Sequence, residues 1–334
     1  MRISRTPLRA GIAGLVLMAL AVAGPAAAQT SRQQPTFKSP EAAYEQGMGA
    51  WRSGFVEHAI PALKFAAERG VFFAQFYLAR LYSDSGTAYT NHPAAYELYN
   101  KIAVEHANVD PDDDQRAPFV ARALTGLASY VRSGMAVIHL SPDPVRAVEY
   151  LRHASQFFND QEAQFELAKH HLRGEGTPQD TRAGLHWLSV LTQRGHAGAQ
   201  AFLADIYWRG RYNVPRDQLR AFALITVAVE NAPDGDRIWI EDIHQNIFCG
   251  SSTGTRNQAQ GMVAEWRQKY GRSGTHAYRA GLGALPPTAE RTCRNGETVA
   301  PVPSRTQAPV DSRTPSAAPL GMLDVGVKRT EPGR

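Results

Sequence analysis

Glu162, Glu166 and His170 stand four residues apart in the run QEAQFELAKHH, a spacing that sets two carboxylates and an imidazole along one side of a helix. Three such groups begin a zinc site. A fourth ligand and an enclosing shell are also required, and neither is visible nearby. His171 occupies the position that Tyr82 and Tyr207 fill in related segments, which marks it for packing. Gly174-Glu175-Gly176 is a lone G-x-G. A phosphate loop would follow a strand and carry further glycines, so this one reads as a turn between helices. Cys249 and Cys293 have no histidine motif beside them, which leaves a cysteine nucleophile without its base. The residues thus point away from an enzyme, a cofactor and a metal.

The elements that position these residues form a repeat. Ala163 aligns with Ala199, Gln164 with Gln200, Leu167 with Leu203, Ala168 with Ala204 and Gly174 with Gly210, a period of 36 residues. Periods of this length belong to stacked helix pairs. Five first helices share the pattern: Ala43, Gly47, Trp51, Gly54; Ala74, Leu78, Tyr82, with Gly86 one place late; Ala123, Leu127, Val131, Gly134; Ala163, Leu167, His171, Gly174; and Ala199, Leu203, Tyr207, Gly210. Offsets 0, 4 and 8 fall on one helical stripe, where small side chains admit a neighbouring helix and large ones fill the gap. A glycine at offset 11 can stop the helix in a left-handed conformation that costs other residues about 1 kcal/mol or more.

Second helices carry the stripes Ala59, Leu63, Ala66; Ala95, Tyr99, Ile102; Ala147, Leu151, Ala154; Ala183, Trp187, Val190; and Ala221, Ile225, Ala228. The five starting alanines are separated by 31, 49, 40 and 36 residues, so the variation falls in loops: the acidic segment 109–115 and the segment 133–144. The expected fold is all-α, a right-handed α-solenoid of five helix pairs over 40–232. Capping helices follow over 233–270, with Ile238, Ile240, Ile243 and Ile247 available to cover the last repeat.

Both ends read differently. Residues 1–28 combine Arg2, Arg5 and Arg9, an apolar run from Ala10 to Gly24 and Ala26-Ala27-Ala28, the layout of a secretory signal peptide cleaved near Gln29. The apolar run is shorter than the roughly 20 residues of a membrane span. An exported, periplasmic chain with no integral membrane segment after cleavage is therefore expected, entered through a polar linker at 29–39. Residues 271–334 are rich in Pro, Ser, Thr, Arg and Gly and read as a disordered basic tail.

The net charge of +5 belongs to these ends. Three arginines in 1–28 and a net +4 in 271–334 leave −2 on residues 29–270, which argues against nucleic acid as a partner. Two cysteines in an oxidising compartment permit one disulfide, Cys249–Cys293, and equally leave two free thiols if the tail is unordered. Ten of the eleven histidines precede Gly250. Any that are buried, such as His171, would make stability fall on protonation near pH 6.

The pattern A-x-x-x-L-A-x-x-Y-x-x-G, a loop of about nine residues and then A-x-x-W resembles the Sel1-like repeat, a relative of the tetratricopeptide repeat, over residues 40–232. The succession PFVARALTGLASYVRSG, EAQFELAKHHLRGEG, GHAGAQAFLADIYWRG and ENAPDGDRIWI resembles, more narrowly, the periplasmic exopolysaccharide regulators of that family over residues 119–240. That resemblance implies a protein partner, the periplasmic domain of a membrane sensor histidine kinase. Direct binding would hold the kinase inactive, with exopolysaccharide production and motility under two-component control. The basic tail and the cysteine pair depart from those regulators. Two further classes stay open: an envelope scaffold for cell-wall or polysaccharide machinery, and an envelope hydrolase.

For a binding protein the informative positions are those the packing stripe leaves out. Offsets 3, 6 and 10 of the first helices give Tyr77, Arg80 and Asp84; Glu166, Lys169 and Arg173; and Phe202, Asp205 and Arg209. First helices generally line the concave side of such arrays, so this mixed charged and aromatic strip is the expected partner surface, set against a merely solvated face.

Overall fold

The computed structural model describes residues 37–233, 235–271 and 291–299. The expected signal peptide, linker residues 29–36 and most of the expected tail lie outside the described residues. Among the described residues there are twelve α-helices. Five first helices, α1 (Pro40–Arg52), α3 (Phe72–Ser83), α5 (Ala117–Ser133), α7 (Gln161–Arg173) and α9 (Ala197–Arg209), alternate with five second helices, α2 (Val56–Glu68), α4 (His92–His106), α6 (Pro144–Gln156), α8 (Thr181–Gln193) and α10 (Gln218–Asn231). Two more, α11 (Arg237–Gly250) and α12 (Thr253–Tyr270), close the series. From α1 to α11 each helix packs on the one before it, while α12 packs on α10, the nearest-neighbour pattern of an α-solenoid. No described helix is long and apolar enough to cross a membrane.

Local chemistry starts most of the helices. Ser39, Asn91, Asp143, Asp160, Asp180, His196, Asp217 and Ser252 each accept a first-turn backbone N–H through the side chain. The small-residue stripe is then buried: Ala43, Ala74, Ala123, Ala163 and Ala199 are all 0% exposed. Leu78, Leu127, Leu167 and Leu203, one turn on, are buried as well, each contributing about 1.5–3 kcal/mol of apolar burial.

Three expectations need correction. Gly134, Gly174 and Gly210 do cap their helices with positive φ, but α3 ends at Ser83 without a glycine, and Asp84 makes the turn by accepting Gly86 N–H at 3.0 Å. In the fourth pair the buried stripe is Gly184, Leu188 and Leu191, one residue beyond Ala183, Trp187 and Val190. Gly184 belongs to that stripe because a Cβ there would lie 2.6 Å from the Leu172 side chain. Finally, Ile240 and Ile247 cover the last repeat but Ile238 is 58% exposed, because buried His244 and Glu241 share the inward face of α11.

The glutamine at offset 1 locks units together. Gln75, Gln164 and Gln200 are buried, and each donates Nε2 to a carbonyl in the last turn of the preceding second helix: Ala67, Ser155 and Thr192, at 3.2, 3.2 and 3.1 Å. Such a bond satisfies a helix-end carbonyl away from water, where an unmet acceptor is costly. Gln200 does more, since it also donates to Tyr270 O at 2.8 Å and accepts from Asn231 Nδ2 at 3.0 Å, tying α12 to the array.

The expected disorder of 271–334 does not hold for 291–299. This segment forms a short hairpin with bridged Thr292 and Thr298, joined to α11 by the Cys249–Cys293 disulfide. Arg291 reaches Asp242 and Glu241, Arg256 pairs with Glu297, and Cys293 and Val299 are buried. A covalent tie and several charge-assisted contacts offset the ordering entropy that composition alone leaves unopposed.

Among the described residues the buried histidines are His170 and His244, whereas His171 is half-buried. Burial, reinforced by Arg291, lowers the pKa of His244 to about 4. The folded chain therefore resists protonation more than the unfolded chain, whose histidine titrates near 6.5. This stability is fully present well above pH 6.5 and is lost as pH falls toward 4: about 1 kcal/mol is gone at pH 5.5 and about 3 kcal/mol at pH 4. Thermal melts should show a lower Tm at pH 5.5 than at 7.5, and His244→Leu should flatten that difference. An unchanged wild-type Tm would contradict this assignment.

Candidate functional site

The expected strip divides. Tyr77 is a packing residue, edge-on to Trp51 at 5.2 Å and 6.1 Å from the ring of Phe119, so it cements the first three units. Asp84 serves its turn. Glu166 and Lys169 form a direct ion pair, with Lys169 Nζ 4.4 Å from the centre of the Phe165 ring and Phe202 edge-on to that ring at 6.1 Å. Phe165 thereby links Glu166, Lys169 and Phe202. Arg173 is exposed and lies 3.9 Å from Glu175, which Arg132 also approaches. Asp205 and Arg209 pair at 2.6 Å, with Arg211 near the same carboxylate. Arg80 faces a groove.

That groove, about 720 Å³, runs across successive turns of the array. Phe76, Arg80, Ser83 and Tyr99 wall one end; Ala117, Pro118 and Arg122 of α5, then 158–162 and 194–198, continue it; Asn231, Pro233 and Asp236 close it. Most of its lining therefore comes from residues just ahead of the small residue of each unit, at the N-terminal ends of α5, α7 and α9. The reason is geometric. Stacking places these ends side by side, although their starts lie 44 and 36 residues apart in the chain.

The groove's acids are engaged internally. Asp160 accepts Ala163 N–H at 2.8 Å as the cap of α7. His196 caps α9 by accepting Ala199 N–H at Nδ1, 3.1 Å, which places its ring proton on Nε2, 3.2 Å from Glu162. Asp236 accepts from Trp239 Nε1 at 3.1 Å. Desolvation raises the pKa of Asp160, and that of Asp236 with help from the Glu162 charge. It would raise that of Glu162 too, but the hydrogen bond from His196, with the charges of Lys169 and Arg122, more than offsets it, and the carboxyl titrates below its ordinary value. The result is a groove of fixed charges of both signs, with Arg80, Arg122 and Arg194 spread along it and the aromatic rings Phe76, Tyr99 and Phe158 toward one end.

The carboxylate and imidazole spacing that suggested metal chemistry is used otherwise: Glu162 faces His196, Glu166 faces Lys169, and buried His170 Nδ1 lies 2.7 Å from Glu175 O. Gly176, at φ +71, is set by close approach, since a Cβ there would fall 2.0 Å from Pro144 O. Of the nine strip residues only Arg80 lines the groove. Arg122, Arg194, His196 and Asp236 escaped the sequence reading; the first three precede the small residue of their units at offsets −1, −5 and −3, and Asp236 precedes α11, so no shared spacing marks them.

Comparison with known proteins gives the class first. The Sel1 repeat family model matches residues 73–103, 121–156, 161–196 and 197–231, so Sel1 repeats fall on the second to fifth helix pairs. Helices α1 and α2 precede the matched residues. The chain is similar to the exopolysaccharide production negative regulator of Rhizobium meliloti (strain 1021), 29% identical over 254 residues that cover 75% of this chain and 92% of the relative. A protein of the same description from Rhizobium leguminosarum bv. viciae is 28% identical over 245 residues, covering 73% of this chain and 89% of the relative.

Among solved structures, a protective antigen of uropathogenic Escherichia coli strains displaying an SLR fold aligns with TM-score 0.49 and 24% identity, covering 70% of this chain and 46% of that one. A Sel1 repeat protein from Oxalobacter formigenes aligns with TM-score 0.44 and 23% identity, covering 58% and 74%.

Proposed function

We propose that this protein is a periplasmic negative regulator of exopolysaccharide production that acts by binding, and that its partner is the periplasmic domain of a membrane sensor histidine kinase, held inactive in the complex. The observation that carries this reading is the match over 92% and 89% of the length of two relatives named exopolysaccharide production negative regulators. Geometry adds a place for the contact. The groove through Arg80, Arg122 and Arg194 offers charge along its length and aromatic anchors toward one end, the combination that gives protein interfaces orientation and affinity. The strip around Phe165 with Glu166, Lys169 and Phe202 is a second contact of the same partner. Its ion pair is already satisfied within the chain, so it contributes orientation more than binding energy.

The test is affinity capture from crosslinked envelopes with the full chain. A histidine kinase should be recovered, and recovery should fall at least about tenfold with Arg80→Glu combined with Arg194→Glu, less with Lys169→Glu. Recovery of synthase or cell-wall enzymes without a kinase would replace this reading with an envelope scaffold.

A further inference from the structure

The joints between successive units are not built alike. Three have short connections, 69–71, 157–160 and 194–196, whose last residue bonds back into the preceding helix: Val71 to Ala66 O, Asp160 to Ala154 O and His196 to Leu191 O. These same three carry the glutamine clamp through Gln75, Gln164 and Gln200. The joint from α4 to α5 differs in every respect. Its connection runs from 107 to 116, Val109 N–H reaches back only to His106 O, and Leu124, which cannot donate a hydrogen bond, stands where the glutamine would be.

Apolar surface holds most of that joint together, with one close side-chain hydrogen bond across it, between His92 Nδ1 at the start of α4 and Tyr130 Oη near the end of α5, at 2.9 Å. Tyr99 and Ile102 of α4 meet Val120 and Leu124 of α5 in one core cluster, and Phe76 stands edge-on to Phe119 at 5.1 Å. Apolar contacts are non-directional, so helices held mainly by them can rotate about the one bonded point, whereas a buried amide-to-carbonyl bond at the joint itself fixes one geometry. The groove crosses this joint, with Arg80, Ser83 and Tyr99 on one side and Arg122 and Glu162 on the other.

We infer that the array flexes at the α4–α5 joint, the first two units moving against the last three, so that the width of the groove changes there. This holds whether or not the groove receives the proposed partner, and the test needs no partner.

Glu97, Glu149 and His186 are exposed at equivalent places on α4, α6 and α8. Spin labels attached there through genetically encoded keto side chains leave the disulfide intact. Pulsed electron resonance on the full chain should give a 97–149 distance distribution about twice as wide as that for 149–186. A 97–149 distribution no wider than the 149–186 one would overturn the inference.

Discussion

Gln200→Ala is expected to be among the most damaging single substitutions in the array, costing about 3–5 kcal/mol. The side chain is fully buried and makes three bonds at once, to Thr192 O, Tyr270 O and Asn231 Nδ2. Truncation removes all three bonds, each worth about 0.5–1.5 kcal/mol net, and opens a cavity as well, while Thr192 O keeps the Gly195 N–H at 3.1 Å. Asn231 Nδ2 keeps a bond to Tyr270 O at 3.1 Å, which holds the total below the simple sum. Gln75→Ala removes a single bond of the same kind, to Ala67 O, and should cost about 1–3 kcal/mol. Urea unfolding of the two variants distinguishes them. Equal losses would mean that Gln200 does not tie the last helix to the repeats.

Loss of the Cys249–Cys293 bond should have a comparable effect. Its 44-residue separation corresponds to about 4 kcal/mol of loop-closure entropy in the chain-entropy model. The bond also holds Arg291 against Asp242 and Glu241 and Glu297 against Arg256, so those contacts should loosen with it. The Cys249→Ser, Cys293→Ser double variant should melt well below the wild type, and dithiol treatment should lower the wild-type Tm while leaving the double variant unchanged. Equal melting of wild type and double variant would show that 291–299 adds nothing to stability.

Much of the fold could be read in the sequence because the repeat leaves steric marks. Only a residue as small as Ala123 or Ala199 lets helices approach at offset 0, and a left-handed stop favours glycine at 174 and 210. Where the marks failed, a local contact had taken over. The Asp84 side chain did the work of a glycine, and Gly184 moved the fourth stripe by one place because it must pass Leu172. The hairpin at 291–299 was hidden because composition averages over the whole tail, while one cysteine and a few charges suffice to anchor nine residues.

The candidate site was less legible, for a different reason. Offsets 3, 6 and 10 were read as one face, yet Tyr77 is drawn into packing with Trp51, and Arg80 alone reaches the groove. The groove takes shape only when helix N-termini far apart in sequence are stacked. Arg122, Arg194 and His196 each look like ordinary flanking residues until that has happened. Their unity is tertiary, and no local pattern carries it.

The central claim, that this is a binding protein whose groove holds a kinase sensor domain, is tested most directly by titrating the chain from Gln29 onward with the purified periplasmic domain of the captured kinase. The expected result is one-to-one binding that weakens at least about tenfold in the variant combining Arg80→Glu with Arg194→Glu, and that weakens further as salt is raised. Binding of undiminished affinity by that variant, or no binding by the wild type, would contradict it.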